Sequence, residues 1–349
     1  MKDLRIGQNL IGTGHPTYII AELSCNHQQK YEVAVQSIKA IAECGATAVK
    51  SQVYTPDTIT IKSNKKYFKI GKTDLWDGQT LYNLYRKAYT PWEWIPKLKK
   101  LANTLGLDFF ASAFDSTSIA FLESINVPAY KVASLEIQDL PLIAKMAETQ
   151  KPIIISTGVA TQKDIYNAIN TCRATQNHQI AVLKCSSAYP TPLDEVNLLT
   201  IPDMKKRFRV HIGLSDHTLG ALAPSIAVTL GATIVEKHFI LDKRLGGPDA
   251  AFSLDKLEFK DLVQKIRQTE KIVGNVTYRL SNKQKNMKKL GRSLFVVENM
   301  HAGEMFTQKN VRSIRPGHGM LPSELPKVLG EYSTKAIEKG TPLNRRLIA

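Results

Sequence analysis

Two lysines, Lys50 and Lys131, stand inside short runs that are otherwise largely apolar, Ala48-Val49-Lys50-Ser51-Gln52 and Ala129-Tyr130-Lys131-Val132-Ala133. A lysine in a buried strand is costly unless it meets an anion. Hydroxyls at Ser112, Ser134 and Ser156 stand at or just past the ends of similar runs, and with the two ammonium groups they would form a cradle for a phosphate and a carboxylate. His217 and His238 end two further runs. If those runs are neighbours, their rings converge on one divalent cation, which imidazole nitrogens favour for Mn, Fe, Co or Zn over Ca. The same spacing suits two histidines hydrogen-bonded independently of each other. Two imidazoles also leave a shell incomplete, to be filled by Glu236 or Asp249, by water or by a substrate. Cys25 reads as a small packed residue, since nothing around it in the sequence depresses a thiol pKa.

These groups need elements that bring them together. Short apolar runs alternate with amphipathic helical stretches eight times before residue 275, the pattern of repeated βα units. The expected strands are 18–22, 48–52, 107–112, 129–133, 153–156, 181–185, 210–214 and 233–237, and helices are expected over 31–44, 92–104, 116–124, 162–172, 221–230 and 257–273. Eight parallel strands with outer helices in about 250 residues predict an α/β fold, a (β/α)8 TIM barrel. An open doubly wound sheet competes, but no G-x-G-x-x-G follows the first strand.

In a barrel the loops after the strands converge on one cavity. The strand ends offer Glu22 with Asn26 and His27, then Lys50 and Gln52 on one strand face, Ser112, and Lys131 followed by Ser134 and Glu136. The later strands offer Ser156-Thr157-Gly158, the stretch from Lys184 to Ser187 with Tyr189, Ser215-Asp216-His217, and Glu236 with His238. Singly, such a lysine is most often a loop charge and such a serine a helix cap. The sequence therefore divides into a catalytic barrel over 1–275, a basic linker over 276–290, and a turn-punctuated unit over 291–349. The segment 4–16 reads as a hairpin that closes the barrel floor.

The 349 residues are 43% hydrophobic and 22% charged, a globular composition. No apolar run reaches the roughly 18 residues of a membrane span, and the first sixteen residues lack a secretory signal's apolar stretch. A cytoplasmic protein without a membrane partner is expected. Four cysteines without C-x-x-C spacing read as reduced thiols. The net charge of +16 invites a polyanion partner. The basic run at Arg279, Lys283, Lys285, Lys288, Lys289 and Arg292 lacks the aromatic interleaving of a single-strand binder, so no nucleic-acid partner is expected.

Over nearly its whole length the chain resembles the sialic acid synthase family, which condenses phosphoenolpyruvate with an N-acetylated amino sugar. The matching stretches include Ala21-Glu22-Leu23-Ser24-Cys25-Asn26-His27, Tyr130-Lys131-Val132-Ala133-Ser134, Gly213-Leu214-Ser215-Asp216-His217-Thr218, Glu236-Lys237-His238-Phe239 and Gly247-Pro248-Asp249. The tail, with Gly291-Arg292-Ser293-Leu294 and Arg315-Pro316-Gly317-His318-Gly319, is similar to that family's antifreeze-like (SAF) domain. Leu75-Trp76-Asp77-Gly78-Gln79-Thr80-Leu81-Tyr82, Ala88-Tyr89-Thr90-Pro91-Trp92-Glu93-Trp94 and 246–253 look most like its pseudaminic acid branch. That branch implies a 2,4-diacetamido-2,4,6-trideoxy-L-altropyranose acceptor.

The resemblance implies that His217 and His238 hold a divalent metal (Mn, Mg or Co) that polarises the open-chain aldehyde. It implies that Lys50, Lys131, Ser112, Ser134, Ser156, Ser187 and Ser215 position phosphoenolpyruvate, although Ser187 and Lys184 depart from residues common in the family. Glu22, Gln52, Tyr189 and Asp249 would line the sugar pocket, and Glu136 would transfer a proton. Ala250, Ala251 and Phe252 would suit a 6-deoxy carbon. Arg315 would reach an acetamido group from the neighbouring subunit of a domain-swapped homodimer. Carbon–carbon bond formation through C3 of the donor, with C–O cleavage, is the implied chemistry. The rival readings are a sialic or legionaminic acid synthase and, from another class, an anion-binding or ice-binding protein.

Overall fold

Eight short runs, buried on both faces almost throughout, close the first unit. The computed structural model describes residues 2–71 and 78–349. Leu75, Trp76 and Asp77, which contribute to the branch resemblance, lie outside the described residues. The chain separates into a unit ending at Gly274 and a second unit, Asn275–Ala349.

A hairpin of β1 (Leu4–Ile6) and β2 (Asn9–Ile11) leads into β3 (Tyr18–Glu22), β4 (Ala48–Val53), β5 (Asp108–Ala113), β6 (Tyr130–Val132), β7 (Ile153–Ser156), β8 (Ile180–Cys185), β9 (His211–Asp216) and β10 (Ile234–His238). Strands β3 to β10 pair in parallel around a closed barrel in which β10 returns to β3. Helices over Tyr31–Cys44, Ser116–Ser124 and Lys256–Val273 run within one or two residues of the expected positions. Trp92–Trp94 opens the next helix as a 3-10 turn, because Pro96 falls where α-helical hydrogen bonding begins at Ile95. The structure adds Leu140–Glu148 and Thr200–Phe208 to the outer ring. Strands β9 and β10 run further than the apolar pattern indicates. Ser215, Asp216 and His238 are polar yet remain in the ladder, since their side chains face a cavity or a buried partner.

The hairpin fills the barrel floor. Leu4, Ile6 and Ile11 pack with Ile20, Ala48, Phe110 and Ile154 from the strands' inner faces. Gly7 has φ 55°, and a Cβ there would collide with Asp108 Oδ1 at 1.9 Å. Asp108 accepts hydrogen bonds from Asn9 Nδ2 and Tyr18 OH, both at 2.8 Å, which fastens the hairpin to the barrel.

In the second unit β11 (Ser293–Val296) pairs with β12 (Val311–Ile314) in antiparallel fashion over a core of Leu294, Val296, Phe306 and Leu343. The expected linker is not wholly irregular. Ser281 caps a short exposed helix, Asn282–Lys288, formed by the Lys-rich, Pro-free and Gly-free stretch. No described helix is long and apolar enough to cross a membrane.

Candidate active site

The inner faces of the strands change character toward their C-terminal ends. Ladder register places Glu22 beside Lys50, Gln52 beside Ser112, and Ser112 beside Lys131. Ser215 lies beside Glu236, and His238 beside Glu22. Lys50 Nζ lies 2.6 Å from Glu22 Oε2 and 3.3 Å from Glu236 Oε1, and donates to Ser112 Oγ at 3.4 Å. Burial works against the Lys50 ammonium, but its two carboxylate neighbours raise its pKa above the ordinary lysine value. Burial pushes the Glu22 carboxyl up, and Glu236 adds to it against Lys50. Burial acts upward on Glu236 as well, yet Lys131 and Lys50 together hold it below the usual range.

Lys131 differs from Lys50. It is 1% exposed. It donates to Val132 O at 2.8 Å and Ser156 Oγ at 2.7 Å, with no carboxylate at ion-pair distance among the described residues. Burial brings its pKa down to about 8. A turn over Ser134–Glu136 follows β6. Ser134 Oγ accepts from Gly158 N at 3.0 Å. A Cβ on Gly158 would sit 2.0 Å from Ser187 Oγ and 2.8 Å from Ser134 Oγ, so glycine keeps the gap between the two hydroxyls open. Burial lifts Glu136 to about 7.

The histidines meet as well. Their ring centroids are 5.4 Å apart, and Phe252 and Tyr189 pack around them. His217 Nδ1 lies 3.0 Å from Ser186 O, a partner that only accepts, so in the neutral ring Nδ1 carries the hydrogen and Nε2 keeps its lone pair; burial works against the charged ring, but Cys185, Ser186 O and Asp216 raise its pKa. His238 Nδ1 is buried without a hydrogen-bond partner, 3.5 Å from Asp249 Oδ2, and burial keeps that imidazole neutral. Unprotonated ring nitrogens and an orphaned one suit a cation. Among the described residues no group of three or more His, Cys, Asp or Glu side chains forms a ready-made metal cage. A cation held by the two histidines would take its remaining ligands from water or a substrate.

One cavity of about 480 Å³ joins most of these groups. Lys50, Gln52, Lys131, Ser134, Glu136, Ser156, Tyr189, Ser215, His217, His238 and Asp249 all line it. Four expected residues do not. Glu22 is fully buried beneath Lys50, its carboxylate engaged with that lysine, and Ser112 lies under the same ammonium. Ser187 lines a neighbouring cavity of about 550 Å³ with Lys184 and Arg207. Arg315 belongs to the second unit, exposed and without a hydrogen bond among the described residues. Its loop is braced by Ser293, whose Oγ donates to Pro316 O at 2.6 Å and accepts from Gly319 N at 2.9 Å.

Of the apolar trio, Phe252 lines the cavity, whereas Ala250 and Ala251 do not and Ala251 is exposed. Sequence reasoning missed Ser24, Tyr54 and Tyr85 in the wall. It also missed the buried pair of Lys237 and Asp216, 2.5 Å apart behind the two histidines. The adjacent placement of each beside a histidine, in Asp216-His217 and Lys237-His238, was the available signal.

Residues 37–278 match the NeuB family and residues 291–344 the SAF domain. The chain is 45% identical to a pseudaminic acid synthase of Helicobacter pylori, over 94% of this chain and 97% of that protein. It is 41% identical to one from Campylobacter jejuni, over 95% and 96%. An N-acetylneuraminic acid synthetase structure from Leptospira borgpetersenii, in complex with citrate, aligns with a TM-score of 0.73 at 28% identity, covering 82% of this chain and 95% of that one.

Proposed function

We infer the activity from one premise, that this chain belongs to the NeuB family, and read it as an enzyme of the sialic-acid-synthase type that condenses phosphoenolpyruvate with an amino sugar. We propose that the acceptor is 2,4-diacetamido-2,4,6-trideoxy-L-altropyranose and the product pseudaminic acid, because the relatives of highest identity reported above carry that name. The observation that carries the donor is Lys131, a buried ammonium with no carboxylate at ion-pair distance among the described residues, beside Ser134 and Ser156 at the barrel mouth. An anionic phosphate or carboxylate compensates the cost of that burial. Lys50, already balanced by Glu22 and Glu236, orients rather than attracts.

A divalent cation held by His217 and His238, of the Mn, Mg or Co type, would polarise the aldehyde oxygen as a Lewis acid. The chain's own groups do the rest. Lys131 with Ser134, Ser156 and Ser215 holds the donor so that its C3 faces the aldehyde carbon. As the C3–C1 bond forms, positive charge grows at C2 and water adds there. The resulting tetrahedral centre expels phosphate by C–O cleavage and leaves a 2-keto acid. The water oxygen ends as the ketone and so gives up both protons: the first, lost as water adds, is matched by the one the aldehyde oxygen gains, and the second leaves with the phosphate as the tetrahedral centre collapses. Glu136, with a pKa of about 7, can accept or give the first proton at working pH. Asp249, Gln52 and Tyr189 face the sugar, and Phe252 offers its 6-deoxy carbon an apolar surface. Arg315, supplied by the partner subunit of a domain-swapped homodimer, is proposed to close the mouth over an acetamido group.

Phosphate release across a panel of acetamido sugars tests this reading. Turnover should be highest with the L-altro diacetamido sugar, stop with EDTA and return with Mn. In 18O-water the label should enter the sugar acid at C2. Label in phosphate instead would overturn C–O cleavage, and a rate indifferent to EDTA would overturn the metal.

A further inference from the structure

Ser24 leaves β3 two residues after Glu22, with φ 47°. That left-handed conformation penalises a side chain, and glycine is the usual occupant. Serine stands there nonetheless, 4% exposed and lining the cavity. Its hydroxyl accepts from Gln52 Nε2 at 3.1 Å and donates to Asp249 Oδ2 at 2.5 Å. Gln52 Nε2 also donates to Glu22 Oε1 at 3.3 Å.

The direction of this chain follows from the donor and acceptor capacity of its ends. An ionised carboxylate only accepts, so Gln52 turns its nitrogen to Glu22, and Ser24 gives its one hydrogen to Asp249. Ser24 then has only lone pairs left for Gln52. Both amide hydrogens of Gln52 are consumed within the protein, and Asp249, whose carboxyl burial pushes up against the hydrogen bond from Ser24, has none to give in its ionised form. Toward the cavity each therefore presents oxygen.

We propose that Ser24 is a specificity-determining positioning residue: it locks Gln52 and Asp249 as two acceptors that read hydrogen-bond donors, hydroxyl O–H or acetamido N–H, on the acceptor sugar. The inference rests on the condensation proposed above and assigns the wall that selects its sugar. Without the hydroxyl, Gln52 keeps only its 3.3 Å bond to Glu22 and Asp249 loses its 2.5 Å donor, so both are less tightly held and an acceptor lacking a donor at that edge is less disfavoured.

Steady-state kinetics of Ser24→Gly and Ser24→Ala test it, with phosphate release followed for the diacetamido sugar and for analogues carrying O-methyl in place of a hydroxyl or an acetate ester in place of an acetamide. Glycine adopts φ 47° freely, so Ser24→Gly should melt at or above the wild-type temperature. Its KM for the sugar should rise about tenfold, the loss expected for one charge-assisted hydrogen bond. The KM for phosphoenolpyruvate should hold, and selectivity against the donor-less analogues should fall by a similar factor. Ser24→Ala loses the same hydroxyl but keeps the strained Cβ, so it should share the KM change while melting lower. A purely structural role would instead make KM follow melting temperature across the two variants, and that result overturns the inference. Unchanged sugar KM and selectivity in both variants, with wild-type turnover intact, also overturn it alone. A wild-type protein that releases no phosphate with any amino sugar overturns the proposed function and this inference with it.

Discussion

The floor and the mouth of the barrel are built from the same strands, two residues apart on the same inner faces, and they do opposite things. Ile20, Ala48, Phe110, Ala129, Ile154 and Ile234 form the floor, each 0% exposed and apolar. Advancing two positions gives Glu22, Lys50, Ser112, Lys131, Ser156 and Glu236, which are also nearly inaccessible yet polar or charged. A strand's period of two keeps both sets pointing inward. Depth of burial therefore does not distinguish them. The floor stabilises the fold by removing apolar area from water, whereas the mouth carries a desolvation cost that only partners or a ligand offset.

The largest expected effect comes from removing the Lys131 charge. Lys131→Met should lower kcat/KM about 10²–10³-fold, the scale of losing one preorganised electrostatic contact to a reacting group. Its effect on folding should run the other way. A lysine whose folded pKa is depressed to about 8 contributes stability that is present above its unfolded value and lost as pH falls through 8, so the wild type carries a penalty at neutral pH. Methionine relieves it, and the melting temperature at pH 7 should rise. A drop in both activity and melting temperature would erase the contrast between floor and mouth.

Phe110→Ala probes the other side. A cavity at the floor should cost about 3–5 kcal/mol of stability in urea unfolding, while the folded fraction keeps its KM for phosphoenolpyruvate. The smallest effect, and the one that sharpens the comparison, concerns Glu136. Its folded pKa of about 7 exceeds the unfolded carboxyl value, so the stability it contributes is present at low pH and lost as pH rises through 7. Glu136→Gln should unfold like wild type near pH 4 and be more stable above pH 8, by roughly 3 kcal/mol if the whole shift is expressed. The same substitution should remove an inflection near pH 7 from the kcat profile.

Much of this was legible in the sequence because barrel strands alternate with ring helices in chain order, and because Lys50 and Lys131 break apolar runs. Pairing across the barrel was not legible. That Lys50 meets Glu22 and Glu236 follows from β10 closing onto β3, which places side chains distant in sequence within 3.3 Å of one ammonium. Hence both lysines were expected to face an open anion site, whereas of the two Lys131 has no carboxylate at ion-pair distance among the described residues. Ser187 lines the neighbouring cavity, and Ala251 is exposed while Phe252 is buried. Ser24 left no mark, since a positive φ is invisible when the residue is not glycine.

A crystal structure with phosphoenolpyruvate and Mn tests the central claim most directly. The donor's phosphate or carboxylate should lie within hydrogen-bond reach of Lys131 Nζ, Ser134 and Ser156, with the metal on His217 and His238. Donor lodged instead in the adjoining cavity beside Lys184 and Arg207, with Lys131 still bonded only to Val132 O and Ser156, would contradict it.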